Sequence, residues 1–153
     1  MKWKKPSITK IYEAIGAMAD GRVKVSGNGA KVYSSTRNKF YAVTYDPATY
    51  QIMSNDNTSY WKNELGYPAI AYLMSIKELP YEESVGNILR GIAWKDINQQ
   101  FKNDFEKALQ FVLSSKTDGE RMRLEDLAIS IHSKLNKMEL KLLGKKTLPP
   151  SGY

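Results

Sequence analysis

Near residue 22 the spacing of apolar residues changes from a helical period to the period of two residues that is typical of a strand. This change constrains the fold more than any other feature. Charged and β-branched residues alternate in Arg22-Val23-Lys24-Val25, as in a strand with one buried face. Asn28-Gly29 is typical of a tight turn, and Asp46-Pro47 marks another turn. The pattern predicts an antiparallel meander of four strands, at about 22–25, 30–35, 39–45 and 50–54.

Segments with a helical period lie on both sides of this meander. Ser7 can cap a first helix that runs to about Asp20, with an apolar stripe from Ile8 to Met18. The expected fold class is α+β, with an N-terminal helix, a four-stranded antiparallel β-meander, and a helical half that ends in a long zipper-like C-terminal helix. The later helices are predicted at about 68–78, 82–89, 94–114 and 120–143.

The composition limits the chemistry and the location of the chain. It has no cysteine, and His132 is its single histidine, which excludes thiolate zinc sites and Cys–His nucleophile pairs. No phosphate-binding glycine loop is present either. We therefore expect a protein that is not an enzyme and holds no cofactor or metal. The absence of a long apolar run and of cysteine favours a cytoplasmic protein. The absence of cysteine, a thermolabile residue, also fits adaptation to heat.

The positive charge is concentrated in the predicted meander. Between Gly21 and Tyr45 the chain has five basic residues and no acidic one, whereas 62–117 holds seven of each. Cations attract phosphates, and aromatic rings stack on unpaired bases. Candidate nucleic-acid-binding residues in this segment are Arg22, Lys24, Lys31, Tyr33, Arg37, Lys39, Tyr41 and Tyr45.

Three aromatic residues outside the meander extend this set. Trp3 stands in a basic N-terminal arm, and Tyr60 and Trp61 end a polar run that starts at Asn55. Each has an alternative interpretation: the arm can be a disordered terminus, and the polar run can be a capped loop whose rings fill the core. Tyr and Lys are also ordinary residues on the open face of a sheet.

The last predicted helix has apolar residues at alternating steps of four and three, which is the pattern of a coiled-coil seam. This pattern predicts an oligomerisation helix that joins two or more copies of the chain. Leu127, Ile129, Leu140 and Leu143 widen the stripe and favour packing on its own domain instead. The seam residues are Leu124, Ala128, Ile131, Leu135, Met138 and Leu142.

The whole layout resembles ThermoDBP and its related proteins, a single-stranded DNA-binding family of hyperthermophilic archaea. The segment from Ser54-Asn55-Asp56 through Trp61 to Leu65-Gly66-Tyr67-Pro68-Ala69-Ile70-Ala71 is similar to a block of that family. The resemblance implies that DNA lies in a cleft of aromatic and apolar side chains rimmed by basic ones, with subunits joined by the C-terminal helix. A weaker likeness to the SWIM zinc module lacks every metal ligand.

Together these patterns predict a largely sequence-independent single-stranded DNA-binding protein that forms a homodimer or larger assembly. We expect a nucleic-acid-binding α+β domain over 1–117, an oligomerisation helix over 118–143 and a flexible tail over 144–153. RNA binding and a protein-interaction or assembly module are the alternatives. A membrane partner is not expected.

Overall fold

A computed structural model describes residues 1–152 of the chain. It confirms the α+β class, with an N-terminal helix, a sheet and a helical half that ends in a long helix. The strands are β1 (Val23–Ser26), β2 (Gly29–Tyr33), β3 (Phe40–Asp46), β4 (Gln51–Ser54) and β5 (Lys141–Leu142). The helices are α1 (Ile8–Ala19), α2 (Asn57–Lys62), α3 (Tyr67–Ser75), α4 (Glu83–Gly86), α5 (Trp94–Gln100), α6 (Phe105–Ser114) and α7 (Asp118–Lys137), with a 3₁₀ turn at Asn87–Leu89.

The predicted four-stranded meander forms the body of the sheet. The strand order is β1-β2-β3-β4-β5, and the first four strands are antiparallel neighbours. Gly29 begins β2 where the chains approach closely, because a Cβ there would lie 2.1 Å from the carbonyl oxygen of Val43. The Asn28-Gly29 signal therefore marked both a turn and a position without room for a side chain.

Helix α3 covers one face of this sheet, which we call the inner face. It contacts all four strands of the meander, while α1 packs against α3 and in turn contacts α6 and α7. The opposite face, the outer face, carries none of these helices. The residues of the inner face that are buried are Ala30, Val32, Tyr41, Val43, Tyr45, Ile52 and Ser54.

The helical half differs from the prediction at three places. The expected helix over 94–114 is divided into α5 and α6, because Lys102 and Asn103 adopt left-handed backbone angles and Asp104 caps a new helix. A short helix, α2, forms in the polar run, where the Asp56 side chain accepts a hydrogen bond from the Ser59 amide. The last helix ends at Lys137, and β5 follows it and runs parallel to β4.

The seam residues lie inside the chain's own core, which corrects their interpretation as a subunit interface. Leu124, Ala128, Ile131 and Leu135 on α7 are buried in the core that α1 and α4 share. Met138 is buried just past the helix end, and Leu142 lies in β5, so the heptad pattern does not continue. Helix α7 is thus part of the core of the α+β fold.

Trp3 is also a core residue and not part of a mobile arm. It is 3% exposed, and its indole Nε1 donates a 2.8 Å hydrogen bond to the carbonyl oxygen of Ile52. Its backbone amide donates to Leu140, and Lys5 Nζ donates to the last carbonyls of α7 at Leu135 and Met138. The N-terminal segment therefore ties the end of α7 to the sheet, and Trp3 has no surface for a base.

None of the helices described between residues 1 and 152 is sufficiently long and apolar to cross a membrane.

We expect Ile131→Ala to lower the free energy of unfolding by about 2–5 kcal/mol, because it leaves a cavity in the core. Ile131 is fully buried, whereas Ile129, two residues away on the same helix, is 55% exposed. Ile129→Ala should change stability by less than about 0.5 kcal/mol. Urea unfolding at two protein concentrations measures both effects. If both substitutions lowered stability by the same small amount, the burial of the seam would be contradicted. It would also be contradicted if the stability of the wild type depended on protein concentration and Ile131→Ala abolished this dependence.

Candidate nucleic-acid interface

The outer face of the sheet carries two cross-strand pairs that come from the basic, aromatic segment. Lys24 in β1 lies directly opposite Lys31 in β2, and Tyr33 lies directly opposite Phe40 in β3. Both lysines are exposed, and Tyr33 is half-buried. Strand residues two apart point to the same side, so Lys31 and Tyr33 share one face. The structure thus brings together Lys24, Lys31 and Tyr33, three of the predicted residues.

Phe40 completes this group, although the sequence analysis did not include it. It is 40% exposed, and its ring centroid lies 5.8 Å from that of Tyr33, with the planes tilted by 54°. Lys31 Nζ lies 4.8 Å from the centroid of the Phe40 ring. An ammonium beside two accessible rings can contact a phosphate while a base stacks on the ring. We call Lys24, Lys31, Tyr33 and Phe40 the outer-face cluster.

Tyr41 and Tyr45 point away from this cluster, which corrects their placement on the basic face. Tyr45 is fully buried on the inner face, with its ring 6.2 Å from that of Tyr72 on α3. Tyr41 is buried on the same side, with its ring 6.1 Å from that of Tyr67 in an edge-on arrangement. Side chains alternate between the two faces along β3, and the tyrosines take the inner face.

The two arginines of the segment bond to the protein itself. Arg22 is buried, with Nη1 donating to the Tyr33 carbonyl oxygen at 2.8 Å and Nε donating to Asp20 Oδ2 at 3.2 Å. Arg37 is exposed on the turn before β3, and its Nη2 donates to the carbonyl oxygen of Asp20 at 2.7 Å. The charge of Arg22 is therefore paired with Asp20 inside the fold, on the lining of a cleft, and its role as a phosphate contact stays a prediction. Arg37 keeps an accessible guanidinium.

A cleft of about 430 Å³ opens where β2 leads into β3. Lys39 and Tyr41 line it from the sheet, and Tyr67 and Trp94 line it from the starts of α3 and α5. Lys39 Nζ lies 5.8 Å from the centroid of the Tyr41 ring. The cleft therefore combines aromatic residues and a lysine with a largely polar lining, and Tyr67 and Trp94 were not among the predicted residues.

Lys10 and Glu13, one turn apart on α1, are buried in the wall of this cleft. Lys10 Nζ lies 3.3 Å from Glu13 Oε2 and 3.6 Å from the centroid of the Phe105 ring. Asn98 on α5 donates to the other oxygen of Glu13 at 2.5 Å. These charges neutralise each other, so the pair adds no net charge to the cleft. The sequence analysis made no prediction for this pair, although its spacing of three residues on the predicted first helix was visible.

Burial changes the acidity of the tyrosines in the cleft. It raises the pKa of Tyr41 to about 12, and the carboxylates of Asp56 and Glu13 add to the rise. Burial also raises the pKa of Tyr67 far above its usual value, although the nearby Arg22 guanidinium opposes this. Both phenols therefore stay neutral near pH 7, where they can donate a hydrogen bond but carry no charge that repels phosphate.

The polar run before α3 forms a second aromatic site on the surface. Asp56 accepts hydrogen bonds from the side chains of Ser54 and Ser59, at 2.6 and 2.7 Å, and this network fixes the start of α2. Helix α2 then presents Tyr60 and Trp61, whose rings meet edge to face with centroids 4.7 Å apart. Trp61 is 67% exposed, so it remains a candidate for stacking, whereas Tyr60 is half-buried.

The tail over 144–152 contacts the folded body at several points, while its flexibility stays a prediction. Lys146 Nζ donates to the carbonyl oxygen of Tyr60 at 2.9 Å and to Asn63 Oδ1 at 2.6 Å. At its far end, the carbonyl oxygen of Gly152 accepts a 2.9 Å hydrogen bond from Lys39 Nζ. The last residue of the predicted tail, 153, lies outside the described residues.

Across residues 1–152, no group of three or more His, Asp or Glu side chains is placed to hold a metal ion.

We expect the stability of Tyr41→Phe relative to wild type to increase as the pH rises. Because folding raises the pKa of Tyr41 to about 12, the unfolded chain ionises first, and stability is lost as the pH rises above 10. The phenylalanine variant should therefore gain about 1 kcal/mol relative to wild type between about pH 9 and about pH 11. Urea unfolding at both pH values measures this. If the unfolding free energies of the variant and the wild type differed by the same amount at both pH values, the Tyr41 hydroxyl would be solvated in the folded protein.

Comparison with known proteins gives a family but no described relative. Neither a curated protein nor a solved structure matches the chain. The family model described as "Uncharacterised conserved protein UCP014422" matches residues 3–141, which include every helix and the four meander strands. The chain therefore belongs to the family of uncharacterised conserved proteins UCP014422.

Proposed function

We propose that this protein binds single-stranded DNA, largely without regard to sequence, through the outer-face cluster and the neighbouring mouth of the cleft. The observation that carries the proposal is the outer-face cluster itself: two opposed lysines beside two accessible rings on one open sheet face. Lysines of such a cluster contact phosphates, and its rings stack on unpaired bases.

On their own, the opposed lysines lower the stability of the folded protein. Like charges directly opposite each other in a sheet destabilise the pair by about 0.2–1 kcal/mol. Lys24 and Lys31 nevertheless form such a pair on the open face. A phosphate between the two ammonium groups would turn this repulsion into attraction, whereas a general solubilising role needs no such juxtaposition.

A strand on this surface would be held at more than one point. Lys39 stands at the mouth of the cleft beside Tyr41, and Trp61 lies exposed on α2, which follows the strand next to β3. Lys39 directly precedes Phe40, the first residue of β3. Backbone charge and ring stacking read no base identity, so the proposed binding is tolerant of sequence. Because RNA also has phosphates and unpaired bases, part of the surface would bind RNA equally well.

Assembly is a separate part of the proposal. The protein-interaction alternative relied on the α7 seam, and that seam is covered by the chain's own core. A homodimer would therefore have to use another surface. A cytoplasmic location, a non-enzymatic role, an origin in a heat-adapted archaeon and kinship with the ThermoDBP proteins remain predictions from the sequence.

Phe40→Ala tests the proposal against a matched control outside the sheet, Phe111 on α6. Phe40 and Phe111 are 40% and 49% exposed, and each pairs with one other aromatic ring. Loss of a stacking ring costs about 1–3 kcal/mol per base, so Phe40→Ala should weaken binding about 5- to 150-fold. Phe111→Ala should leave the affinity unchanged.

Fluorescence anisotropy with a labelled oligothymidylate of about 15 nucleotides measures these affinities, with duplex DNA of the same length as competitor. Unfolding curves for both variants show whether the fold is kept. Equal affinities of the two variants would count against stacking on the outer face. Tighter binding of the duplex would leave only a general attraction to polyanions.

A further inference from the structure

The C-terminal segment 144–152 runs over the β4 side of the outer face and reaches Lys39 at the mouth of the cleft, which is part of the surface that the proposed function assigns to DNA. Thr147 Oγ1 donates to the sulfur of Met53 at 3.7 Å, and Met53 is on the outer face of β4. One residue later, the Leu148 carbonyl oxygen accepts from Asn55 Nδ2 at 3.5 Å. The segment then reaches Lys39 through the Gly152 carbonyl oxygen. Its course therefore runs from α2 to the mouth of the cleft.

Lys146 is the principal anchor of this segment. Its ammonium group donates to two acceptors, the Tyr60 carbonyl oxygen and Asn63 Oδ1, and lies 5.3 Å from the centroid of the Tyr60 ring. Charge-assisted hydrogen bonds of this kind are about twice as strong as neutral ones. Lys145, its neighbour on the same tail, is exposed. The two adjacent lysines are thus a contact residue and a matched reference.

The segment is also suited to docking by its backbone. Pro149 and Pro150 restrict the chain to extended conformations before it docks, so less conformational entropy is lost on binding. Its docked contacts use Lys39, Asn55 and Met53, which lie around the start of β3 and the end of β4. A DNA strand that approached Lys39 from this side would meet the tail first.

We propose that the sheet surface binds the chain's own C-terminal segment, and that this segment competes with single-stranded DNA for the site. The inference rests on the proposed function for the identity of the competitor, but the docking of the segment does not. Only the fraction of molecules with an open site binds the strand. A tail that is docked about nine-tenths of the time therefore weakens the apparent affinity about tenfold.

Two charge reversals on adjacent residues of the full chain test this competition. Lys146→Glu and Lys145→Glu change the net charge equally, so both weaken the long-range attraction to DNA by the same amount. Only Lys146→Glu removes the anchor, and it places a carboxylate against two oxygen acceptors. It should therefore bind the labelled oligothymidylate about three- to tenfold more tightly than Lys145→Glu.

The heteronuclear NOE of the backbone amides in 144–152 gives a readout that does not involve DNA. It reports motion directly, which suits a segment whose docked contacts use side chains and carbonyl oxygens. The NOE values should be lower in Lys146→Glu than in Lys145→Glu or wild type. Equal values would overturn the docking of the tail. Lower values without tighter DNA binding than Lys145→Glu would overturn the competition while the proposed function stands. Absence of binding by every variant, including the one with a released tail, would instead overturn the proposed function.

Discussion

The packing of α3 against one face of the sheet decides where every residue of the basic segment points. Because α3 contacts all four meander strands, the alternate residues of β2 and β3 that face it are apolar or aromatic and buried. Val32, Tyr41 and Tyr45 are examples. Their neighbours Lys31 and Phe40 are then obliged to lie on the outer face. The candidate interface is a direct consequence of how the core is closed.

The outer face is accessible at its β1–β2 end, whereas other segments of the chain cover it on the β4 side. Trp3 and β5 close the sheet beside β4, and the tail continues from there over Met53. The β1–β2 end, with Lys24 and Lys31, carries no such covering segment in the part of the chain that is described. The tail therefore covers only the β4 side of the proposed site.

Local patterns predicted the meander correctly because period two and turn residues act over a few positions. The side of β3 that is buried depends on α3, which is distant in sequence, so Tyr41 was assigned to the wrong face and Phe40 was missed. The α7 seam could not be assigned from its own pattern, since a stripe of Leu and Ile suits a neighbouring helix of the same chain as well as a second copy. Trp3 was misjudged because its indole bonds to Ile52.

The salt dependence of DNA binding tests the central claim, that the opposed lysines of the outer face contact phosphates. Lys24→Glu with Lys31→Glu is compared with Lys134→Glu with Lys137→Glu, exposed residues on α7 with the same change in charge. We predict that the slope of log affinity against log salt becomes shallower by about 0.7 per lost phosphate contact in the first variant only. An equal slope in both folded variants would contradict the account.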